Sequence, residues 1–299
     1  MIFSKCHLCQ QEAELQESHI FPRSYFKKIK SGSGQVLEIA IDKDTPPSLS
    51  NFDPKEHLLC FECEQHISKK YEAYGTQIFR RTQNIERENL HVKIKNFNYN
   101  KFYLFLISIL WRASISTIER YRHINFDDKM NARFAACLLK ESVRLSPSIK
   151  LDHFFRVAIF RLKDFSRQLD DDVIKRIFID LNIVKTEDIN DGITYFYVID
   201  GCLVMINLNC HDDIHQQRVI KIKNQMINKT ILKIPFINIS ILKRLQRLLL
   251  CLLKNSHPIL IEQNKPHKKH LRTVILKQIK PTRITGGFYF IVTRLTLAI

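Results

Sequence analysis

The apolar positions change period several times along the chain, and those changes mark its elements. Glu14 to Phe21 alternates as a short strand, and the β-branched run from Val36 to Ile41 is a second strand candidate. Ser31-Gly32-Ser33-Gly34 turns between them, and Asp44 to Pro54 has the proline and aspartate content of a loop. Glu64 to Tyr74 reads as a helix with Gly75 as its end, and residues 76–98 as a helix followed by a short connecting strand. Phe102 to Ile118 is apolar on most sides and predicts a buried helix. Lys129 to Ser142 is amphipathic, with Phe134, Cys137 and Leu138 as its inner stripe and a turn at Ser146-Pro147 beyond it. His153 to Leu169 and Val173 to Ile179 continue a mainly helical region. At Ile193 the period falls to two, and Thr194 to Ile199 and Leu203 to Leu208 flank Asp200-Gly201 as the arms of a hairpin. Val219 to Ile234 adds a further strand or two, and Ile241 to Leu253 is a basic amphipathic helix. The expected fold is α+β, divided into an N-terminal module (1–85), a helical region (86–185) and a small β-containing, basic C-terminal part (186–299).

Composition adds room for a core and an uneven charge. The 299 residues are 45% hydrophobic and carry a net charge of +17. Residues 216–299 hold 17 Lys and Arg against Glu262 alone, so nearly all of that charge sits in the last third. A one-sign field of this size attracts polyanions, which makes nucleic acid the expected partner. From Pro266 onward no acid occurs at all, a composition that suits a nucleic-acid arm and equally an Ile/Lys-biased segment without selected function. The longest apolar run, Phe102 to Leu110, is too short to span a bilayer, so no membrane span is expected.

Eight cysteines add chemistry. Cys137, Cys202, Cys210 and Cys251 are scattered singly and read as free buried thiols, a usage that points to a reducing, cytoplasmic setting. The other four form two pairs, Cys6-His7-Leu8-Cys9 and Cys60-Phe61-Glu62-Cys63, separated by about 50 residues. Each Cys-x2-Cys turn presents two thiolates, and two such turns supply the four soft ligands of a structural, tetrahedral zinc. His211-Asp212-Asp213-Ile214-His215 lacks cysteine pairing or a helical spacing and reads as a polar loop.

The order Cys-x2-Cys, then Ser18-His19-Ile20-Phe21-Pro22, then Leu58-Leu59-Cys60-x2-Cys63 running into a helix resembles the zinc-stapled HNH (His-Asn-His, ββα-metal) nucleases. The resemblance covers the first quarter of the chain. It implies a ββα-metal module in which His19 is the general base that activates water and Glu64 is a helix-borne ligand of a catalytic Mg2+ or Mn2+. Two positions depart from the family pattern. Ser18 stands where a metal-binding Asp, His or Glu precedes the base, and Lys55 falls in the place of the middle Asn. Glu17, Ser18 and His66 are the auxiliary candidates, with His57 and Glu72 near enough to serve as substitute ligands. Residues 105–116 also resemble a segment that follows this knuckle in bacterial HNH-like proteins. The implied activity is metal-dependent hydrolysis of phosphodiester bonds in nucleic acid, DNA before RNA. Two other readings keep the zinc without the chemistry: a non-catalytic module that binds nucleic acid or a partner protein, and a purely structural knuckle beside a functional helical region.

Overall fold

One helix that is apolar all round decides where everything else packs. The computed structural model describes residues 2–30, 34–39, 48–80, 83–185, 193–208, 221–242 and 290–292. In chain order the N-terminal third holds β1 (Ile2–Lys5), β2 (Glu12–His19), α1 (Arg23–Ile29), β3 (Val36–Ile39), β4 (Ser48–Ser50) and β5 (Lys55–Cys60). Next come α2 (Phe61–Ile67), a π-helical turn at Ser68–Glu72 and α3 (Ala73–Arg80). β6 (Ile85–Arg87), β7 (His91–Ile94), α4 (Tyr99–Ile115) and α5 (Asp128–Leu139) follow. The rest comprises β8 (Phe155–Lys163), α6 (Asp171–Ile174), β9 (Phe178–Lys185), β10 (Ile193–Ile199) and β11 (Cys202–Leu208). It ends with α7 (Ile222–Gln225), β12 (Met226–Ile227), β13 (Ile231–Asn238) and β14 (Phe290–Val292). The fold is α+β, with a small sheet β1-β2-β5 and a large one, β4-β3-β14-β9-β10-β11-β8-β13-β7-β6, in which β12 pairs with β13.

Every residue of α4 from Phe102 to Ala113 is buried. A helix without a polar face must be enclosed on all sides. Here the N-terminal elements, α5 and one face of the large sheet enclose it in a continuous core running from Cys6 to Ile234. The period-two alternation of β10 sends Tyr195, Tyr197 and Ile199 into that core. Phe196 and Val198 point into a second, smaller cluster with Leu162, Ile174 and Leu203. Phe21 and Phe26 pack edge-on against Phe178, with centroids 5.0 and 5.4 Å apart, and so seat β2 and α1 on the sheet. Asp200, at the tip of the β10–β11 hairpin, reinforces the seat. Its carboxylate accepts from Lys28 Nζ at 2.6 Å and Arg80 Nε at 2.7 Å, joining α1 and α3 to the hairpin.

The hairpin reading holds, with Asp200 and Gly201 both at positive φ (45° and 70°), as a tight two-residue turn requires. Three expectations are corrected. His153 to Leu169 is not helical: a short 3-10 turn, Leu151–His153, ends at its first residue, and β8 follows, lying between β11 and β13. Val157, Ala158 and Ile159 are consecutive and all buried, so the alternation that marks a strand is lost to the sequence reader. Val173 to Ile179 likewise divides into the short α6 and the start of β9. The third correction concerns Gly75, which lies inside a continuous helical run that extends to Arg80. A Cβ there would collide with the ring of the fully buried Phe105 on α4, so the glycine marks a close helix–helix approach. Gly75→Ala is expected to lower stability by about 1–3 kcal/mol, as overpacking does, in denaturant melts. A neutral or stabilising effect would refute the tight approach.

Cys210, Cys251, the 211–215 loop, most of the 241–253 helix and, apart from β14, the segment from Pro266 on lie outside the described residues. Among the described residues, no helix is long and apolar enough to cross a membrane.

Candidate metal centre and adjoining carboxylates

The first thiolate turn is built mainly by backbone bonds, with Gln10 Nε2 also donating to His7 O at 2.8 Å. Cys6 N–H donates to Gln11 O and Gln10 N–H to Cys6 O, both at 2.9 Å, and Gln10 adopts a positive φ of 65° to close the turn. His7 N–H reaches Leu58 O at 3.1 Å, bringing this turn beside the end of β5. The second pair straddles the β5–α2 junction, where Cys60 N–H donates to Cys6 Sγ at 3.3 Å. The four sulfurs of Cys6, Cys9, Cys60 and Cys63 lie within 4.8 Å of one another, with Cys9 and Cys60 at 3.9 Å. A tetrahedron with Zn–S bonds of about 2.3 Å has edges of about 3.8 Å, whereas a disulfide needs about 2.05 Å. All four are free cysteines, and the quartet can hold a metal such as zinc.

Burial opposes the thiolate form and pushes the Cys60 and Cys63 thiols up. Cys6 is also raised by burial, but backbone donors from Cys60, Cys9 and Leu8 outweigh it and hold the thiol below its ordinary value. Four thiolates this close need a bound cation to offset their mutual repulsion.

Next to the quartet, β2 and β5 pair antiparallel and α2 leaves the end of β5. The register slips by one residue between Gln16, opposite Leu59, and Glu17, opposite His57. The extra residue is therefore Leu58 on β5, and the β2 alternation is undisturbed. Ser18 points inward and is fully buried, while Glu17 points out, half exposed, with its carboxylate 2.5 Å from Lys55 Nζ. Lys55, which sits opposite His19, thus serves as a surface partner of Glu17, which it holds below the usual carboxylate range.

Ser18 donates its hydroxyl to Glu64 Oε2 at 2.7 Å. Burial raises the Glu64 carboxyl; the Arg112 guanidinium, the Ser18 hydrogen bond and His19 oppose that rise, and Glu72 adds to it. Arg112, on α4, has no solvent exposure, and its Nη1 is 2.6 Å from Glu72 Oε1. Residues eight apart on an α-helix differ by about 80° in direction, and a wider i→i+5 turn takes up about one extra residue. The π-helical turn at Ser68–Glu72 therefore swings Glu72 round to the face of Glu64. Two carboxylates with one guanidinium leave a net negative charge beside His19.

His19 Nε2 lies 3.3 Å from Asp53 Oδ1, and Lys30 Nζ is 4.0 Å from the other oxygen of Asp53. His66 turns away: its Nε2 is 3.0 Å from the Leu138 carbonyl at the end of α5, which also accepts from Tyr71. Of the sequence candidates, Ser18 and Glu64 are in direct contact, His19 lies near enough to act on the charges of both Glu64 and Glu17, and Glu17 and His66 are engaged with Lys55 and the Leu138 carbonyl. Sequence reading missed Asp53 and Arg112. Asp53 lies two residues before the position where the middle Asn was sought, in a loop whose course the sequence leaves open. Arg112 had a signal, a lone charge within the apolar run from Phe102 to Ala113. Among the described residues the cysteine quartet is the group of three or more potential ligands whose atoms converge. No protein-family model, curated protein or solved structure matches the chain.

Proposed function

We propose that the chain is a divalent-metal-dependent endonuclease that hydrolyses phosphodiester bonds of nucleic acid, DNA before RNA, with the cysteine quartet as a structural zinc site. The observation that carries this reading is the His19–Asp53 pair at 3.3 Å beside a Glu64 carboxylate held by Ser18. With Nε2 turned to Asp53, Nδ1 is the nitrogen left to take a proton from water, and the carboxylate stabilises the imidazolium that results. Glu64, with Glu72 behind it, offers the oxygen ligands that hard cations such as Mg2+ or Mn2+ prefer. Such ions commonly bind one or two carboxylates and complete their shell with substrate phosphate and water, so a protein-only cage is not required. When bound, the cation offsets charge on the phosphate and the leaving oxygen.

A second reading is favoured by one observation: Ser18, in the place of a ligand, donates its proton to Glu64. In that reading the module has lost its chemistry and binds nucleic acid or a partner protein. Nicking of supercoiled plasmid separates the two. The nuclease is expected to nick with Mg2+ or Mn2+, to stop with EDTA, and to lose about 10²–10⁴-fold in rate in His19→Ala. Absence of nicking by protein that retains its zinc, with salt-sensitive retention of DNA, would establish the binding module instead.

A further inference from the structure

A cleft of about 600 Å³ opens between the start of α4, the loop after α5 and the β12–β13 hairpin, and it shares no residue with the site around His19. At its base is Asp152, whose side chain is 3% exposed. Asp152 Oδ2 accepts from the Tyr99 hydroxyl at 2.6 Å and lies 3.0 Å from Lys223 Nζ. Asp152 Oδ1 is buried and has no hydrogen-bond donor among the described residues. Leaving such an oxygen unpaired costs free energy comparable to a lost hydrogen bond, which a donor brought by a ligand recovers. A second cleft of about 260 Å³ adjoins it and shares Tyr99, Asp152 and Lys223.

The lining specifies more than an anion. Lys150, Lys223 and Lys229 border the cleft, so the charge around it is positive. A simple anion gains from those lysines but meets a buried carboxylate at the base. The match is a molecule with an anionic end and, a few ångströms away, hydroxyl or amino donors. Phe97, Val143 and Met226 add an apolar wall suited to a flat ring. The volume falls within the range of about 300–1,000 Å³ usual for small-ligand sites. Asn228 and Lys229, both at positive φ (52° and 61°), close the β12–β13 hairpin. That tight turn fixes where Lys229 leaves the backbone.

We propose that this cleft binds a nucleoside monophosphate. The lysines take the phosphate, a ribose hydroxyl or base amine donates to Asp152 Oδ1, and the base lies against the apolar wall. The proposal stands independently of the nuclease reading.

Titration calorimetry on the full chain tests it with AMP, ribose 5-phosphate and inorganic phosphate as probes. Saturable one-site binding of AMP is expected, tighter than that of either other probe. Lys150→Glu combined with Lys229→Glu should weaken AMP at least tenfold. Asp152→Asn should weaken AMP about tenfold while leaving phosphate unchanged or tighter, since it removes both the acceptor charge and the repulsion. The lysine pair carries the test without Asp152, because Lys150 is half-buried, Lys229 is exposed and neither belongs to the core. His19→Ala should leave AMP binding intact, so a failed nuclease reading cannot be mistaken for a failed cleft. No saturable AMP binding, equal affinity for AMP and ribose 5-phosphate, or unaltered affinity in the lysine double variant would overturn the proposal.

Discussion

Purified chain should contain about one zinc, and removing it should cost several kcal/mol of stability. Metal analysis and thermal melts before and after a strong chelator check this. The size follows from where the ligands sit. Cys6, Cys60 and Cys63 belong to the same continuous core as α4 and the large sheet, and Leu8, inside the first turn, is 1% exposed. Loss of the metal therefore loosens packing as well as the turns. Structural zinc is worth about 10–16 kcal/mol in isolated zinc-finger peptides; even a third of that is a fall of about 5–8 °C in Tm for a protein of this size. Cys63→Ser should reproduce the effect, because a hydroxyl is a poor substitute for a buried thiolate. The pH dependence has a definite sign. Zinc binding needs thiolates and releases protons, so affinity falls as pH falls, and zinc should leave on acidification. A chain that folds without zinc and melts at the same temperature with chelator would rule out the quartet as a metal site.

Arg112→Met should destabilise the chain by about 3–5 kcal/mol, as breaking a buried ion pair does when one charge is left without its partner. Arg112 has no exposure, Glu72 is 15% exposed, and the two are 2.6 Å apart. Its Nε also donates to Ser108 O at 3.3 Å, which fixes the guanidinium along α4. Without Arg112, Glu72 and Glu64 are two carboxylates in a partly dry site, and they must be protonated or rehydrated. The double variant Glu72→Gln/Arg112→Met removes both charges of the pair and should recover at least about half of the loss. Urea denaturation of the two singles and the double measures the coupling. An Arg112→Met variant within about 1 kcal/mol of the parent would mean that water already screens the pair.

How far the chain could be read from its sequence depended on whether the signal was local. The two Cys-x2-Cys turns are local, because each fixes its own geometry within four residues, and their meeting in space required only that β5 pair with β2, which brings its end beside the Cys6–Cys9 turn. The β10–β11 hairpin is local for the same reason, with Asp200-Gly201 dictating the turn. The apolar length of α4 announced a buried helix before any partner was known. The α+β class and the cysteine quartet rest on such signals.

What the sequence left open was set by contacts between distant segments. β8 reads as part of a helical stretch because it is covered on both faces, which erases the alternation that a half-exposed strand displays. Gly75 reads as a helix end because only the ring of Phe105, thirty residues later, gives a reason for its missing Cβ. Glu72 shares a face with Glu64 because a π-helical turn, invisible in composition, adds a residue to the turn between them. Asp53 meets His19 through the course of a loop, and Arg112 meets Glu72 across forty residues. The sequence by itself determined the two cysteine turns, the β10–β11 hairpin and the buried helix. The tertiary structure decided which charges those elements face, since pairing between buried groups depends on distance and dielectric rather than on separation along the chain.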